Sequence, residues 1–264
     1  MRFRTKVAIV SGGGDGIGRA TALRLASEGA ALVVTDISAE AADGTVAAIG
    51  QAGGRAAAFV GSVTSGADCD AAIALALERF GGVDVLVNNA AFADKPTLAQ
   101  VTPADWDHEF DVTLRGAFLF ARAVLPHMSE RGSGAIVNIG SVNGLMYFGN
   151  PAYSAAKAGL LSLTRSLAVE AGPRGIRTNM VSPGTIRTNA ISWTLRQQRD
   201  PLVFEKLARW YPVGRVGLPA DIATAVAYLA ADEAGFVNGA NLVVDGGLTA
   251  GMPVMAEELL AELR

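Results

Sequence analysis

The sequence predicts an α/β fold: an open, doubly wound sheet of seven parallel strands with helices on both faces. Three observations carry this. Apolar, β-branched runs alternate with longer helical patterns along the whole chain. The runs are continuously apolar rather than alternating, as parallel strands buried on both faces should be. No long linker or change of composition divides the 264 residues, a length that suits one large domain.

In chain order, the strand-like runs are Lys6–Val10, Ala31–Asp36, Ala56–Val60, Val83–Val87, Ala135–Ile139, Arg177–Val181 and Asn241–Val244. Helical patterns lie between them near 17–29, 39–50, 66–80, 103–128, 152–171 and 219–231. The fourth has a clear start, because Thr102 is a capping residue and Pro103 suits the first helical position. Residues 187–210 interrupt the alternation and read as an insertion over the carboxyl edge of the sheet. The chain then runs on after Gly247, past its last strand. In this tail Met255, Leu259, Leu260 and Leu263 fall at helical spacing opposite Glu257, Glu258 and Glu262, so a short amphipathic helix is expected to bury one face on its own subunit or a neighbour's.

Composition removes several classes of function. The net charge is −3, with no basic run to follow a phosphate backbone, which argues against nucleic-acid binding. No apolar stretch reaches the roughly 18 residues of a membrane span, and Val7–Val10 is too short for a signal-peptide core. The lone Cys69 cannot form a disulfide within the chain, which points to a reducing, cytoplasmic setting. With only His108 and His127 beside it, a Cys/His zinc site is excluded in practice, and no metal is expected.

The first strand leads through Ser11-Gly12-Gly13-Gly14-Asp15-Gly16-Ile17-Gly18 into the first helix. Glycines allow the tight turn and a close approach of backbone to a pyrophosphate. The helix N-terminus offers N–H groups and partial positive charge. Asp36 closes the second strand, 18 residues after Gly18. A carboxylate there accepts ribose hydroxyls and repels a 2′-phosphate, and Asp15 adds a second negative charge, so NAD is expected over NADP.

Tyr153 and Lys157 stand four apart in Tyr-Ser-Ala-Ala-Lys at the start of a helix, on one face. A nearby ammonium favours the phenolate, which makes the phenol a usable acid and base near neutral pH. Ser141, 12 residues earlier and just past the fifth strand, is placed to hold a substrate oxygen beside that phenol.

Together these residues resemble the short-chain dehydrogenase/reductase superfamily. The resemblance runs from residue 6 to about 247. It also includes Asn88-Asn89-Ala90, Asn179…Ser182-Pro183-Gly184-x-Ile186-x-Thr188, Gly214-Arg215-x-Gly217-x-Pro219 and Val244-Asp245-Gly246-Gly247. It implies a Rossmann-like fold, a homotetramer, and a cofactor held by Gly12, Asp15, Gly16, Ile17, Gly18, Asp36, Ser62, Val63, Asn89, Ala90, Pro183, Gly184, Ile186 and Thr188 together with Tyr153 and Lys157. The Pro183-Gly184 turn and Thr188 would hold the nicotinamide carboxamide, and Lys157 would grip the nicotinamide ribose. Three departures stand out. Thr113 replaces a catalytic asparagine that helps hold a relay water, Ser62 replaces an adenine-binding aspartate, and Ala91 replaces a glycine.

The same resemblance sets Phe92, Asn143, Met146, Tyr147, Asn150 and segment 187–210, with Trp193, around the reacting carbon. That mixture suits a small-molecule ring carrying polar groups: a sugar, cyclic polyol or cyclic ketone. In 187–210, Arg187, Arg196, Arg199, Lys206 and Arg209 face only Asp200 and Glu205. Solvated helix faces account for such arginines, and so does reception of an anionic substituent. Two rival functions remain open: a reductase of acyl-carrier-protein thioesters, which wants NADP and a basic docking patch, and a catalytically impaired NAD-binding scaffold, on account of Thr113.

Overall fold

A computed structural model describes residues 1–189, 191–251 and 253–261. Its strands are β1 (Val7–Ser11), β2 (Ala31–Asp36), β3 (Arg55–Val60), β4 (Val85–Asn88), β5 (Gly134–Ile139), β6 (Ile176–Pro183) and β7 (Asn241–Val244). They form one parallel sheet in the order β3-β2-β1-β4-β5-β6-β7. The chain works outward from β1 to β3, then crosses back to β4 on the other side of β1. That reversal opens a crevice beyond the carboxyl ends of β1 and β4, where doubly wound sheets bind ligands.

The helices are α1 (Gly16–Ser27), α2 (Ala39–Gln51), α3 (Gly66–Phe80), α4 (Pro103–Phe110), α5 (Gly116–Arg131), α6 (Pro151–Ala171), α7 (Ile191–Arg199), α8 (Val203–Ala208), α9 (Pro219–Ala230) and α10 (Pro253–Ala261). Successive strand residues point to opposite faces, so each strand feeds two cores. Ala8, Val10, Leu32, Val34, Val85, Val87 and Val137 pack with α1, α2 and α9. Val7, Ile9, Ala31, Val33, Leu86 and Ile136 pack with α3, α5 and the end of α6. The continuous apolar runs are explained by this double burial. The edge strands depart from it: β3 and β7 are part-exposed along most of their length, since each has a neighbour on one side only.

Local chemistry sets the helix ends. Ser38 and Ser65 accept hydrogen bonds from the N–H groups of Ala41 and Asp68, and Thr102 forms a reciprocal capping box with Asp105. The stretch expected as one helix over 103–128 is broken instead. Between α4 and α5, residues Asp111–Arg115 form a π-helical turn. Such a turn inserts one residue per turn and re-aims the side chains around it, here Thr113.

Segment 187–210 contains α7 and α8 and has a small core of its own, Phe204, Tyr211 and Val216 with Trp193, Leu207 and Leu248 against it. In α10, Met255, Leu259 and Leu260 are exposed, Leu259 by 62%, so the apolar face is not buried on its own chain. Leu263, Glu262 and the Glu257 side chain lie outside the described residues. Among the described residues no helix is long and apolar enough to cross a membrane, and no cluster of His, Cys, Asp and Glu could hold a metal.

Candidate active site

Two cavities lie over the crevice and meet. The first, of about 580 Å³, is lined by Gly12, Asp15, Gly16, Ile17, Asp36, Ser62, Val63, Asn89, Ala90 and Thr188 of the residues expected from the sequence. The second, of about 650 Å³, is lined by Ser141, Tyr153, Lys157, Pro183, Gly184, Ile186, Asn143, Asn150 and Trp193. Ile17, Asn89, Ala91 and Thr188 border both, so the two are one cleft. Gly18 lies beneath the loop: a Cβ there would run into the carbonyl oxygen of Gly12 and the side chain of Asn89. Phe92 borders the first cavity rather than the second, and Met146 and Tyr147 border neither; Tyr147 is 76% exposed.

The glycine loop fits a dinucleotide. Gly12 and Gly16 have φ of 59° and 53°, and a Cβ on Gly14 would crowd Ala41 and the Asp36 carboxylate. Asp36 is held at both oxygens, accepting from the N–H of Gly14 and of Ser38 at 3.0 Å each. Asn89 ties this loop to β4: its Nδ2 donates to the carbonyls of Ser11 (3.0 Å) and Gly12 (2.9 Å). Ser62 donates its N–H to Asp68 (2.8 Å), and its hydroxyl pairs with that of Thr64. Ala91 puts its methyl where the cavities join.

At the other end, α6 begins under constraint. Asn150 has φ 52°, in the left-handed region that asparagine tolerates better than most residues, and Pro151 follows as the first helical residue. The Asn150 N–H donates to the Pro96 carbonyl (3.0 Å) and its Nδ2 to that of Lys95 (3.4 Å). These bonds fix where α6 starts, and so where Tyr153 stands. Asn143 donates from Nδ2 to the Gly149 carbonyl (3.1 Å) and the Ser154 hydroxyl (3.3 Å). Both asparagines line the cleft; Asn143 spends both amide protons on the chain, and Asn150 one of its two.

Lys157 is 2% exposed and donates from Nζ to the Ile139 carbonyl at 2.5 Å, with Nζ 5.4 Å from the centre of the Tyr153 ring. Burial pushes the lysine down to about 7 and the phenol up to about 12; the Ser141 hydroxyl pulls the phenol down and the charge of Glu109 pushes it up. The phenol was expected to be lowered by its ammonium neighbour; instead desolvation sets the direction, and it is raised. The phenol is neutral through the physiological range, while a lysine at about 7 populates both its charged and its neutral form near neutrality.

Thr113 is buried, 1% exposed, and its hydroxyl is committed to the backbone of Phe92: it accepts from the N–H (3.2 Å) and donates to the carbonyl (3.3 Å). It serves as a tether for the loop after β4. One turn earlier stands Glu109, also 1% exposed, which sequence reasoning missed. Its Oε1 accepts from the Asp94 N–H (2.9 Å), while Oε2 has no partner among the described residues. A negative charge near Tyr153 disfavours the phenolate. Glu109→Gln is thus expected to lower the pH at which the Tyr153 phenol ionises, checked by ultraviolet difference titration with Tyr153→Phe as the blank; an unmoved or upward-shifted transition would contradict this placement.

Of the segment 187–210 expected at the site, Arg196, Leu207 and Trp210 join Trp193 on the wall of the second cavity, whereas Phe148, Tyr211 and Leu248, also on that wall, were missed. Tyr211 accepts the Thr185 N–H at its hydroxyl (2.7 Å), fixing the turn after Pro183-Gly184.

Comparison with known proteins agrees with this fold. The family model described as enoyl-(acyl carrier protein) reductase matches residues 12–249. An uncharacterized oxidoreductase of Schizosaccharomyces pombe is 47% identical over 78% of this chain and 80% of its own. The cis-4-hydroxycyclohexanecarboxylate dehydrogenase of Sinomonas cyclohexanicum is 42% identical over 94% of this chain and 98% of its own. The crystal structure of a short-chain dehydrogenase/reductase family oxidoreductase from Burkholderia thailandensis superimposes with a TM-score of 0.90 at 42% identity, covering 97% of this chain and 98% of the other. With its seven-stranded parallel sheet, glycine loop and Ser141, Tyr153 and Lys157 on one cleft, the chain belongs to the short-chain dehydrogenase/reductase superfamily.

Proposed function

We propose that this chain is an NAD-dependent oxidoreductase that interconverts a secondary alcohol and a ketone on a ring substrate. The observation that carries the reading is the single cleft, with the glycine loop and Asp36 at one end and Ser141, Tyr153 and Lys157 at the other. A bound nicotinamide supplies hydride exchange with the carbinol carbon. Tyr153 gives a proton to the carbonyl oxygen in reduction and takes it back in oxidation, while Ser141 donates a hydrogen bond to the same oxygen. Lys157 sits under the Tyr153 ring, where its charge stabilises the phenolate as it forms.

NAD over NADP rests on charge. Among the described residues, the first cavity carries two carboxylates, Asp15 and Asp36, and no lysine or arginine. A reductase of carrier-protein thioesters with NADP would want the opposite sign there. The ring-substrate reading draws on the wall of the second cavity, to which Phe148, Trp193, Trp210, Leu207 and Leu248 give flat apolar surface, and on a relative named for a hydroxycyclohexanecarboxylate. Because Asn143 spends both its amide protons on the chain and Asn150 one of its two, a cyclic ketone or alcohol suits the wall better than a sugar or polyol.

The test is a matrix of NAD and NADP against cyclic alcohols, polyols, sugars and hydroxy acids, with acyl thioesters and NADPH as a separate arm. NAD reduction by cyclic secondary alcohols is expected. Turnover confined to thioesters with NADPH would replace this reading with the carrier-protein one. NAD binding without any turnover, cured by Thr113→Asn, would make the native chain a scaffold.

A further inference from the structure

Helix α7 forms one side of the second cavity, and Arg196 on it lines that cavity while remaining exposed at its rim. Lys157 is the other cation on the lining, and no aspartate or glutamate lines it among the described residues. The Arg196 guanidinium carbon stands over the Trp193 ring, 4.8 Å from its centre, and Trp193 in turn packs on Phe204 at 5.1 Å. A planar guanidinium laid on an aromatic face keeps its N–H fork pointing outward from its edge, pre-set for a bidentate partner.

That fork has no such partner among the described residues. Asp200 lies four residues on, the spacing at which a helix pairs opposite charges, but its carboxylate is taken by Lys206 Nζ (2.7 Å) and the Leu202 N–H (3.2 Å). Arg196 makes no ion pair or side-chain hydrogen bond among the described residues. Arg187, in the same segment, is spent differently: it stands over Phe204 at 5.3 Å and does not border the cavity. The same cavity is lined by Phe148, Trp193, Leu207, Trp210 and Leu248, and the side-chain amides of Asn143 and Asn150 donate to backbone carbonyls.

We propose that Arg196 is a specificity residue that receives a carboxylate, or a sulfonate of like charge and shape, at the end of the substrate opposite its reacting alcohol. The inference rests on the ring-alcohol reading above and narrows it: the substrate is a hydroxy or oxo ring acid. A carboxylate meets the guanidinium through two parallel N–H···O bonds, and the ring between its two ends lies against Trp193, Trp210 and Leu248.

The test compares 3- and 4-hydroxycyclohexanecarboxylates with their primary carboxamides, with NAD, in the native chain and in Arg196→Gln and Arg196→Lys. The native enzyme is expected to prefer acid over amide in kcat/KM. Arg196→Gln should reduce that acid-to-amide ratio about 30-fold, chiefly through KM, and Arg196→Lys should recover part of it, since charge returns without the fork. Cyclohexanecarboxylate, which has the anion but no alcohol, should inhibit the native enzyme competitively and the Gln variant more weakly. Equal use of acids and amides by the native chain, or an unchanged ratio in Arg196→Gln, overturns the anion site and leaves the ring-alcohol reading standing. Oxidation of neither set, with NAD bound, overturns both.

Discussion

Tyr153→Phe is expected to lower kcat for alcohol oxidation by about 10³- to 10⁴-fold, at the upper end of what general acid–base catalysis supplies. The change removes one oxygen and keeps the ring, so the packing of α6 and the cation–ring contact with Lys157 survive. NAD affinity, followed by titration calorimetry or fluorescence, should change little, because the phenol is used for proton transfer. Lys157→Ala should damage both turnover and NAD binding, since the family resemblance gives the lysine a hold on the nicotinamide ribose. The pH dependence of the native enzyme has a defined sign. Burial holds the phenol up to about 12, so the base form needed for oxidation grows as pH rises through the alkaline range, and oxidation accelerates with it. Reduction uses the protonated phenol and should not share that rise. Near-native activity in Tyr153→Phe would remove this residue from the chemistry and with it the proposed mechanism.

The fold was legible because its signals are local. Each strand announces itself by a short apolar run, and the glycine loop, Asp36 and the Tyr153–Lys157 spacing sit within single turns or strand ends. All seven runs became strands, with ends shifted by a residue or two where backbone pairing outlasts hydrophobicity, as at Asn88 and at Ser182-Pro183. The π-helical turn at Asp111–Arg115 was not legible: the 3.6-residue pattern continues across it, and the break depends on Thr113 meeting the backbone of Phe92, 21 residues away. Glu109 was hidden for the same reason. In sequence it is an ordinary acidic residue on a helix, and only the packing of α4 over the loop at Asp94 buries it. The cleft wall was partly legible. Trp193 was placed on it from the sequence, whereas Tyr147 borders neither cavity and Arg196 became distinctive only once Asp200 was seen to pair with Lys206. The direction of the Tyr153 and Lys157 shifts also needed three dimensions, since spacing gives proximity but burial decides which effect wins.

Removal of the Asp36 carboxylate is expected to erase the preference for NAD. The native chain should favour NAD over NADP by about a hundredfold in kcat/KM, the scale of gaining charge-assisted hydrogen bonds to one cofactor while repelling the other. Asp36 cannot easily swing aside for a 2′-phosphate, because its two oxygens are pinned by the N–H groups of Gly14 and Ser38. Asp36→Ala frees those two donors and removes the charge, so NAD use should fall while NADP use rises. Asp15→Lys is the natural second step. Asp15 occupies the N-cap of α1 yet makes no side-chain cap hydrogen bond, so its replacement sacrifices little of the helix start. It borders the same cavity as Asp36, and a lysine there offers a phosphate the cation that the native lining lacks. The double variant should prefer NADP outright, with Tyr153 chemistry intact in the same alcohol assay. The ratio of the two kcat/KM values decides the matter: a native chain that uses NADP as well as NAD, or a double variant that still prefers NAD, would show that these carboxylates do not read the 2′ position.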